Sequence, residues 1–594
     1  MQAGGSARAV DASTMAEAFR RTVAEHGDRV AQRTKDDELS LTWSQLRDRV
    51  DALAGGLHKL GVRKGDTVGL MFGNRPEFAI ADLAVMTLGA TPFSLYQTLS
   101  PEQIQYVIGD AGAKVALVEQ AHLDQIRSAR MLGLPQLETV VVLEGADGAG
   151  TLAWDDVEGA DPDFDPEPHW TAQEPDDLLT LIYTSGTTGP PKGVQLTHKN
   201  LLTAVRNIED VVQFPPASRV ISWLPAAHIA ERAAHHYLPI VFAMTVTTCP
   251  NPRDIVAYLP AVRPTWFFAV PRIWEKLRGG MLAGVFPPGS EDREHLEAAE
   301  QKVVLEQRGE PVPPELAEQA AKLDEKAAQV RTMLGLDEVV AVNAGAAPTP
   351  REVIVFFHAL GVPLAELWGM SETCGAGTVN PPDRVKIGTV GPPIKSVELK
   401  LADDGEVLMR SDVVMGRGYR NLPDKTAEAL DADGWLHTGD IGQIDADGYL
   451  TIVDRKKEII INAAGKNMSP ANIEATVKSA SPLIGNACCI GDAKPYNCAL
   501  IVLDADFAPM WASQHGIEDT ALASLARDER LREEIHAAID QANAKLARVE
   551  QIKKFTIVPA DWAPGGDELT PTMKLKRKPI AAKYAAEIAA FYDS

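Results

Sequence analysis

The sequence predicts an α/β protein with a large N-terminal domain of several subdomains and a small, mobile α+β C-terminal domain. Three observations support this fold class. The chain has 594 residues, more than one hydrophobic core usually serves. Short apolar runs alternate with helical patterns through the first half, as in largely parallel sheets. Near residues 453–458 the pattern changes to that of a compact unit of roughly 140 residues.

The predicted elements follow one another in the order that such sheets require. Residues 15–60 combine an amphipathic helical pattern with a strand-like segment. Beyond them, strands are predicted at 66–72, 90–95, 114–119 and 139–143, and a helix at 76–88. Residues 155–177 are rich in Asp, Glu and Pro and therefore predict an exposed connection.

Two later segments complete the predicted architecture. Residues 290–331 are highly charged, with apolar residues at helical spacing, which predicts an inserted pair of surface helices. Asp-Gly turns in residues 433–450 predict small antiparallel β structure, a β-barrel-like part of the N-terminal domain. We place the N-terminal domain at 1–453 and the C-terminal domain at 454–594, with a hinge near 454–458.

Charge and composition limit the classes of protein to consider. The formal net charge of −24 argues against a nucleic-acid partner, because the phosphate backbone would be repelled. Five cysteines without a paired CxxC spacing indicate neither a disulfide framework nor a zinc site. Without an apolar signal core or a long apolar run, a cytoplasmic location is expected. Peripheral contact with the inner face of the membrane and homodimer formation stay open.

The most informative segment is Tyr183–His198, which reads YTSGTTGPPKGVQLTH. Seven of the ten residues from Thr184 to Gly193 are Gly, Ser or Thr, and they surround the single Lys192. Such a loop, following a buried strand, can fold amides and hydroxyls around a polyanion. It is not the usual P-loop, in which Gly-Lys precedes Ser or Thr directly. The segment predicts a site for an ATP phosphate chain, with an ordinary surface turn as the alternative.

Five separated blocks occur in the order of one known family. They are YTSGTTGPPKG, LWGMSET (Leu367–Thr373), HTGD (His437–Asp440), DRKKEIIINAAGKNMSP (Asp454–Pro470) and PTMK (Pro571–Lys574). Through these blocks the chain resembles the adenylate-forming acyl-CoA synthetases over nearly its whole length. The resemblance implies that ATP and Mg²⁺ activate a carboxylic acid to an acyl-adenylate with release of pyrophosphate. It further implies that the acyl group then passes to the thiol of coenzyme A.

The resemblance also implies a set of nucleotide-binding residues. They are Thr184, Ser185, Gly186, Thr187, Thr188, Gly189, Lys192, Gly345, Ala346, Trp368, Gly369, Ser371, Asp440 and Arg455. Trp368 replaces the more usual tyrosine, and its indole can still stack on adenine; a buried packing role is the alternative. Asp440 is expected to accept the ribose hydroxyls, and Arg455 to reach the ribose or the α-phosphate.

Glu372 is the expected magnesium ligand, with the hydroxyl of Thr184 beside it. Mg²⁺ is a hard ion that takes oxygen ligands and retains waters. For Glu372 alone, a carboxylate stabilised by a helix N-terminus is the alternative.

Two lysines are the expected catalytic residues. Lys192 would place a charge on the departing phosphates, and Lys574 would orient the attacking carboxylate and offset charge at the α-phosphate. Lys574 lies in the cluster MKLKRK, so Lys576 and Lys578 stay alternatives, as does a solvated basic tail. Met573 stands where the family usually has glycine.

The second half-reaction is expected to use different residues. In the resembling family the C-terminal domain rotates about a hinge, a position that Lys457 matches. Rotation would withdraw Lys574 and bring in the loop around Gly465, which shapes the tunnel for the pantetheine arm of coenzyme A.

The acid is expected to be a long-chain fatty acid, because several blocks resemble the long-chain subgroup most. One of them is LPAAHIAER (Leu224–Arg232), whose His228 faces the acyl site in relatives. Arg232 replaces a gating tryptophan of some long-chain members, which leaves the chain-length preference open. Trp266–Val270 is a candidate wall of the acyl tunnel, although such a run is more often a core strand.

Three other functions stay open. A fatty acyl-AMP ligase would stop at the adenylate and pass the acyl group to a carrier protein. A coenzyme A ligase could act on another hydrophobic acid. A non-enzymatic lipid-binding or scaffold protein of this fold would lack the ATP ligands.

Overall fold

The structure, a computed structural model, describes residues 8–146, 148, 150–184, 190–463, 466–570 and 572–593. Within these ranges, no helix combines the length and the apolar character needed to cross a lipid bilayer.

The strands of the described residues form six sheets. In chain order they are Val30–Thr34 (β1), Ser40–Thr42 (β2), Thr67–Met71 (β3), Thr91–Ser94 (β4), Val115–Glu119 (β5), Thr139–Leu143 (β6), Thr151–Ala153 (β7), Leu178–Thr184 (β8), Lys192–Thr197 (β9), Arg219–Ser222 (β10), Thr245–Thr248 (β11), Trp266–Ala269 (β12), Ala341–Ala344 (β13), Leu364–Trp368 (β14), Thr378–Val379 (β15), Glu398–Leu401 (β16), Glu406–Arg410 (β17), Leu436–Ile444 (β18), Leu450–Arg455 (β19), Ile460–Ile461 (β20), Asn467–Met468 (β21), Ile484–Ile490 (β22), Asn497–Leu503 (β23) and Ile552–Val558 (β24).

The α-helices lie between these strands and at both ends of the chain. They are Met15–His26 (α1), Trp43–Lys59 (α2), Pro76–Thr87 (α3), Pro101–Ala111 (α4), Leu123–Met131 (α5), Trp154–Glu158 (α6), Glu167–Trp170 (α7), His198–Glu209 (α8), Ile229–Glu231 (α9), Leu238–Phe242 (α10), Ile255–Val262 (α11), Pro271–Gly284 (α12), Glu291–Gln307 (α13), Pro314–Ala321 (α14), Asp324–Leu334 (α15), Arg351–Ala359 (α16), Pro423–Ala429 (α17), Pro470–Ser479 (α18), Phe507–Gln514 (α19), Leu522–Leu525 (α20), Glu529–Lys545 (α21), Arg577–Lys583 (α22) and Ala585–Ala590 (α23). A short π-helix covers Arg232–Tyr237.

The largest sheet has seven strands in the order β7-β6-β5-β3-β4-β8-β9. Its neighbours run parallel except β9, which pairs antiparallel with β8. Along β5, Val115 and Leu117 face one hydrophobic core, whereas Ala116 and Val118 face another. Apolar side chains therefore cover both faces, which explains why strands β3 to β6 read as continuous apolar runs. The predicted α/β class is confirmed.

Two smaller sheets complete the parallel part of the fold. One has the order β10-β11-β1-β2, with only β2 antiparallel to its neighbour. The strand-like segment predicted within residues 15–60 thus forms the pair β1 and β2. The other sheet has the order β12-β13-β14-β15, with only β15 antiparallel. The carboxyl ends of β13 and β14 lead directly into the segments that begin at Gly345 and Gly369.

The charged segment at 290–331 differs from the prediction, because it contains three helices, α13 to α15, rather than two. Pro314 begins α14 at a first-turn position where its missing N–H costs nothing. The segment is also less superficial than its charge indicated. Leu296, Leu323 and Val330 are buried in the main N-terminal core, since each helix keeps one apolar stripe despite its charged outer face.

The predicted β-barrel-like part is a four-stranded antiparallel sheet in the order β16-β17-β18-β19. Strand β19 continues to Arg455, two residues beyond the predicted domain end at 453. Residues from Ile460 onward build two hydrophobic cores of their own, around the mixed sheet β22-β23-β24. This α+β arrangement agrees with the fold class predicted for the C-terminal part.

Candidate active site

The glycine-rich segment lies between two antiparallel strands of the large sheet. Thr184 ends β8 and Lys192 begins β9, and the two residues are register partners. The predicted phosphate ligands Ser185, Gly186, Thr187, Thr188 and Gly189 lie outside the described residues. Thr184 and Lys192 therefore mark the two ends of the loop, and both are partly accessible there.

Gly193 has a packing reason to be glycine. A Cβ atom at this position would lie 3.0 Å from the ring of Tyr183, its register partner. The Tyr183 hydroxyl donates a hydrogen bond to Asp110 at 2.8 Å, which holds the ring across the strand pair. Because residue 193 is glycine, the Tyr183 ring can pack across the two strands that flank the loop.

Lys192, Tyr419 and Glu372 form a connected group beside the loop. The Lys192 ammonium lies 4.1 Å from the centre of the Tyr419 ring, and the Tyr419 hydroxyl donates to Glu372 Oε1 at 2.7 Å. Desolvation lowers the pKa of Lys192, with a contribution from the charge of Lys457, while Glu372 opposes the shift. Desolvation and Glu372 raise the pKa of Tyr419, so its hydroxyl stays protonated and acts as a donor.

Asp440 is a buried carboxylate held at both oxygens. Trp368 Nε1 donates to Oδ2 at 2.7 Å, and Arg455 Nε forms an ion pair with Oδ1 at 2.7 Å. Asp440 and Arg455 meet because they are register partners of β18 and β19. Desolvation raises the pKa of Asp440, while Arg455, Trp368 and Lys574 oppose the shift by favouring the charged form.

Trp368 is 8% exposed at the end of β14, so it is largely buried and also bonded to Asp440. Gly369 follows, where a Cβ atom would lie 2.5 Å from the Gly375 carbonyl oxygen. Ser371 begins the short helix that contains Glu372. The structure therefore brings the predicted residues of this block to one place.

Gly345 and Ala346 directly follow β13, next to the same block. A Cβ atom on Gly345 would lie 3.0 Å from the Phe268 ring. Ala346 is exposed and adopts a left-handed conformation with φ of 69°. A non-glycine residue held in this conformation is strained, and such strain is common at binding sites.

Lys574 comes from the C-terminal part of the chain, but charges of the N-terminal part act on its ammonium. The residue is exposed over part of its surface, yet desolvation and the charge of Arg455 lower the pKa of its ammonium. Asp440, Glu458 and Glu372 act in the opposite direction. Met573 adopts φ of 66°, a left-handed conformation that explains a preference for glycine at this position.

The neighbouring lysines of the basic cluster have other environments. Lys576 Nζ donates to the Gly566 carbonyl oxygen at 2.8 Å, and Lys578 is exposed in the first turn of α22. The charges of Asp440 and Glu372, in contrast, act on Lys574.

His228 lies close to Lys574 at the N-terminus of α9. Its Nδ1 accepts a hydrogen bond from the Ala230 amide at 3.2 Å. Desolvation and the charge of Lys574 lower the pKa of His228 to about 4, so the imidazole is neutral at physiological pH. The charge of the predicted adenylation lysine thus acts on the predicted acyl-site histidine.

Arg232 is fully buried in an ion pair rather than exposed as a gate. Its guanidinium lies 2.5 Å from Asp82 and donates to Ser94, Thr180 and Tyr237. The candidate tunnel wall at Trp266–Val270 begins with β12, whose four residues are all buried, as expected of a core strand.

Lys457, the predicted hinge residue, is exposed in the turn that follows β19. Its charge reaches both Lys192 and Glu428. Gly465, assigned to the coenzyme A tunnel, lies outside the described residues.

The residues around Glu372 fit a magnesium ion bound mainly by substrate. In the described part of the chain, no group of three or more His, Cys, Asp or Glu residues could hold a metal. A single carboxylate instead suits Mg²⁺, which usually keeps waters and binds substrate phosphates.

Sequence reasoning missed Tyr419 and Glu458. Tyr419 follows Gly418 in the run GRGYRN, and nothing in that residue type pointed to phosphate chemistry. Glu458 lies only three residues after Arg455, but its approach to Lys574 depends on how the C-terminal part folds back.

Comparison with known proteins identifies the class. A family model described as AMP-binding enzyme matches residues 19–419, and another, described as AMP-binding enzyme C-terminal domain, matches residues 457–594. The chain belongs to the AMP-binding enzyme family. This confirms the resemblance found in the five sequence blocks.

Two similar proteins have curated names as fatty-acid–CoA ligases. The chain is 48% identical to fadD11 of Mycobacterium tuberculosis over 453 residues, which cover 75% of this chain and 79% of the relative. It is 36% identical to the long-chain-fatty-acid–CoA ligase FadD15 of the same organism over 571 residues, 93% of this chain and 92% of the relative.

Solved structures share the fold at lower identity. The anthranilate CoA ligase AuaEII in complex with anthranoyl-AMP has a TM-score of 0.75 at 21% identity, covering 98% of this chain and 100% of that chain. The adenylation domain of a carboxylate reductase from Mycobacterium chelonae has a TM-score of 0.77 at 20% identity, covering 99% and 92%. These likenesses confirm the large N-terminal and small C-terminal parts of the fold.

Proposed function

We propose that the chain ligates a long-chain fatty acid to coenzyme A, with ATP and Mg²⁺, through an acyl-adenylate. The observation that carries this proposal is that the charges of Asp440 and Glu372, in the N-terminal part, act on Lys574, in the C-terminal part. The names of the relatives support the acid and the acceptor. We propose domains at 1–453 and 454–594, of which the second delivers Lys574.

The nucleotide is bound from two sides. Lys192 and Thr184, at the ends of the loop, hold the β- and γ-phosphates, while Asp440 accepts the ribose hydroxyls. Arg455 and Trp368 orient that carboxylate through its two oxygens. The loop residues 185–189, Gly345, Ala346, Gly369 and Ser371 complete the proposed site.

The ion would be held by Glu372 and Thr184 together with the phosphates. When bound, Mg²⁺ neutralises phosphate charge and so favours departure of pyrophosphate. Glu372 Oε2 is suited to this role, because Tyr419 engages only the other oxygen.

In the first half-reaction a fatty-acid carboxylate oxygen attacks the α-phosphorus, the bond to the β-phosphate breaks and pyrophosphate leaves. Lys574 acts on the attacking oxygen and the α-phosphate, where a fixed positive charge offsets the charge of the transition state. Neutral His228 lines the acyl side without adding a second positive charge.

In the second half-reaction the thiol sulfur of coenzyme A attacks the acyl carbon and AMP leaves. We propose that rotation at Lys457 removes Lys574 and brings the Gly465 loop to the tunnel for coenzyme A. A cytoplasmic location, peripheral membrane contact and a homodimer stay predictions from the sequence.

The decisive experiment is a panel of acids of increasing chain length, assayed for AMP and acyl-CoA together. We expect equal amounts of both products, a requirement for Mg²⁺ and highest activity with long-chain acids. Release of pyrophosphate with an acyl-AMP product but no acyl-CoA would favour the fatty acyl-AMP ligase. An absence of acid-dependent pyrophosphate exchange would support a non-enzymatic role.

The variant Lys574→Ala tests the proposed adenylation lysine. We expect pyrophosphate exchange to fall by about 100-fold or more, because a fixed charge at the reacting oxygens is lost. Thioester formation from supplied acyl-adenylate should be retained. Lys578→Ala is the matched control, since Lys578 is an exposed lysine of the same cluster. An equal loss in the control, or no loss in Lys574→Ala, would contradict the assignment.

A further inference from the structure

Tyr419 is a buried side chain that contacts both Lys192 and Glu372. The Lys192 ammonium lies 4.1 Å from the centre of its ring, and its hydroxyl donates to Glu372 Oε1 at 2.7 Å. The residue is 6% exposed, so water competes little for either contact. A charge-assisted hydrogen bond and a cation–π contact therefore meet on one aromatic side chain.

The backbone around Tyr419 is attached to the strand that carries Lys192. The Arg420 amide donates to the Gly193 carbonyl at 2.8 Å, and the Gln195 amide donates to the Gly418 carbonyl at 3.1 Å. The Tyr419 amide itself donates to Thr426 Oγ1 at 2.9 Å. These bonds fix the position of Tyr419 relative to β9.

The same segment is also attached to the helix of Glu372. The Met415 amide donates to the Glu372 carbonyl at 2.9 Å. Residues 415–420 thus connect the two halves of the proposed phosphate site through the main chain, and Tyr419 connects them through its side chain.

The bond from Tyr419 leaves one oxygen of Glu372 available. In the part of the chain that the structure describes, Oε1 accepts the tyrosine hydroxyl and Oε2 has no recorded hydrogen-bond donor. A carboxylate held at one oxygen presents the other in a defined direction. Groups that orient a metal-binding carboxylate in this way strongly influence the affinity of the site.

We propose that Tyr419 is a positioning residue that sets Glu372 and Lys192 at a fixed separation for a metal–triphosphate complex. This inference rests on the proposed function. The hydroxyl aims the carboxylate at the cation, and the ring holds the ammonium for the phosphate oxygens. The two roles reside in different parts of the side chain, so they can be separated by substitution.

The experiment is calorimetric titration of the full chain with ATP, with Mg²⁺ and with the metal removed by chelation. In the wild type, Mg²⁺ should strengthen binding of ATP. In Tyr419→Phe this enhancement should fall by about 10-fold, because the carboxylate loses its orienting donor. Binding of metal-free ATP should change by less than about 2-fold, because the ring under Lys192 remains.

A second variant, Tyr419→Leu, removes the ring as well. It should additionally weaken binding of metal-free ATP by about 3-fold, because the cation–π contact with Lys192 is lost. A double variant tests the coupling between Tyr419 and Glu372. If Tyr419 acts through Glu372, introducing Tyr419→Phe into Glu372→Gln should lower the Mg²⁺ enhancement of ATP binding by less than about 2-fold further.

The matched control is Tyr449→Phe. Tyr449 also donates a hydroxyl hydrogen bond, to the Arg384 carbonyl at 3.0 Å, and its ring also carries a lysine, Lys386 at 5.3 Å. It contacts none of the proposed site residues. Its substitution should leave ATP binding unchanged with and without Mg²⁺.

Two results would overturn the inference. One is an unchanged Mg²⁺ enhancement in Tyr419→Phe. The other is an equal loss with and without metal, which would indicate a purely structural role. A wild-type chain that binds Mg²⁺–ATP but forms no acyl-CoA would overturn only the proposed reaction, whereas one without Mg²⁺-promoted ATP binding would overturn both.

Discussion

At the scale of single residues, the site is built from charged groups whose partners are fixed before any substrate arrives. Asp440 is buried but remains suited to carry charge, because Arg455 and Trp368 occupy one oxygen each. Lys192 lies over an aromatic ring instead of in a tight ion pair. Such an arrangement keeps charges oriented while leaving them available to a ligand, which lowers the cost of reorganisation on binding.

Glu366, on the strand that leads to Trp368, gives the fold a pH dependence. Desolvation raises its pKa from 4.5 to about 7, although the Thr349 amide donates to it at 2.8 Å. Between these pH values the folded chain retains a proton that the unfolded chain has lost. The free energy of unfolding should therefore fall as pH rises from 4.5 to 7, by at most about 3 kcal/mol.

Thermal unfolding midpoints from pH 5 to pH 8 measure this effect. The variant Glu366→Gln keeps an acceptor for the Thr349 amide but cannot ionise. We expect it to gain stability relative to the wild type as pH rises. Parallel pH profiles for the two proteins would show that Glu366 is not the group responsible.

At the scale of elements, glycines at helix ends determine how the charged helices join the core. Gly335 follows α15 with φ of 68°, and Gly309 follows α13 with φ of 67°. Both adopt the left-handed conformation that ends many helices. They differ in surroundings, because a Cβ atom at Gly335 would lie 2.2 Å from the Leu259 carbonyl oxygen, whereas Gly309 faces open space.

This difference makes the two glycines a matched pair. Gly309→Ala should lower the free energy of unfolding by about 1 kcal/mol, because alanine disfavours the left-handed conformation. Gly335→Ala should lower it by more, about 2 kcal/mol or above, because α11 or α15 must also move. Thermal unfolding of both variants measures the difference, and equal losses would mean that the contact with Leu259 relaxes at no cost.

At the scale of the whole molecule, ion pairs connect the C-terminal part to the N-terminal part in the arrangement that brings in Lys574. Arg272 pairs with Asp504, Lys276 with Asp506 at 2.6 Å, and Lys545 with Glu352 at 3.0 Å. The pairs of Lys276 and Lys545 are largely exposed, and such pairs contribute little individually. Weak pairs suit an interface that, under the proposed rotation, would form in one half-reaction and separate in the other.

Lys457→Pro tests the proposed rotation. The Lys457 amide donates no backbone hydrogen bond in the described turn, whereas those of Lys456 and Glu458 do. Proline should therefore preserve the present arrangement but restrict the backbone change that rotation needs. We expect pyrophosphate exchange within about 3-fold of wild type and thioester formation lowered by about 100-fold.

The matched control is Lys457→Ala, which removes the charge without restricting the backbone. It should retain both half-reactions. If Lys457→Pro lowered both half-reactions equally, the hinge would have to lie elsewhere.

Much of the fold could be predicted, because strands of a sheet buried on both faces appear in the sequence as continuous apolar runs. Strands β3 to β6 were recognised from continuous apolar runs that the two hydrophobic cores explain. The number of helices at 290–331 was not predicted correctly, because short loops within a charged segment resemble a continued helical pattern. The buried stripe containing Leu296 and Leu323 was hidden among solvent-facing charges.

The sequence by itself determined the fold class and the family, and it supplied the residue types of the proposed site. The order of the motifs can be read from the sequence without knowledge of any contact. Only the tertiary structure decided that the charge of Asp440 acts on Lys574, and that Tyr419 joins Lys192 to Glu372. The physical reason is that these contacts join residues far apart in the chain, and their formation depends on how separate sheets and cores pack together.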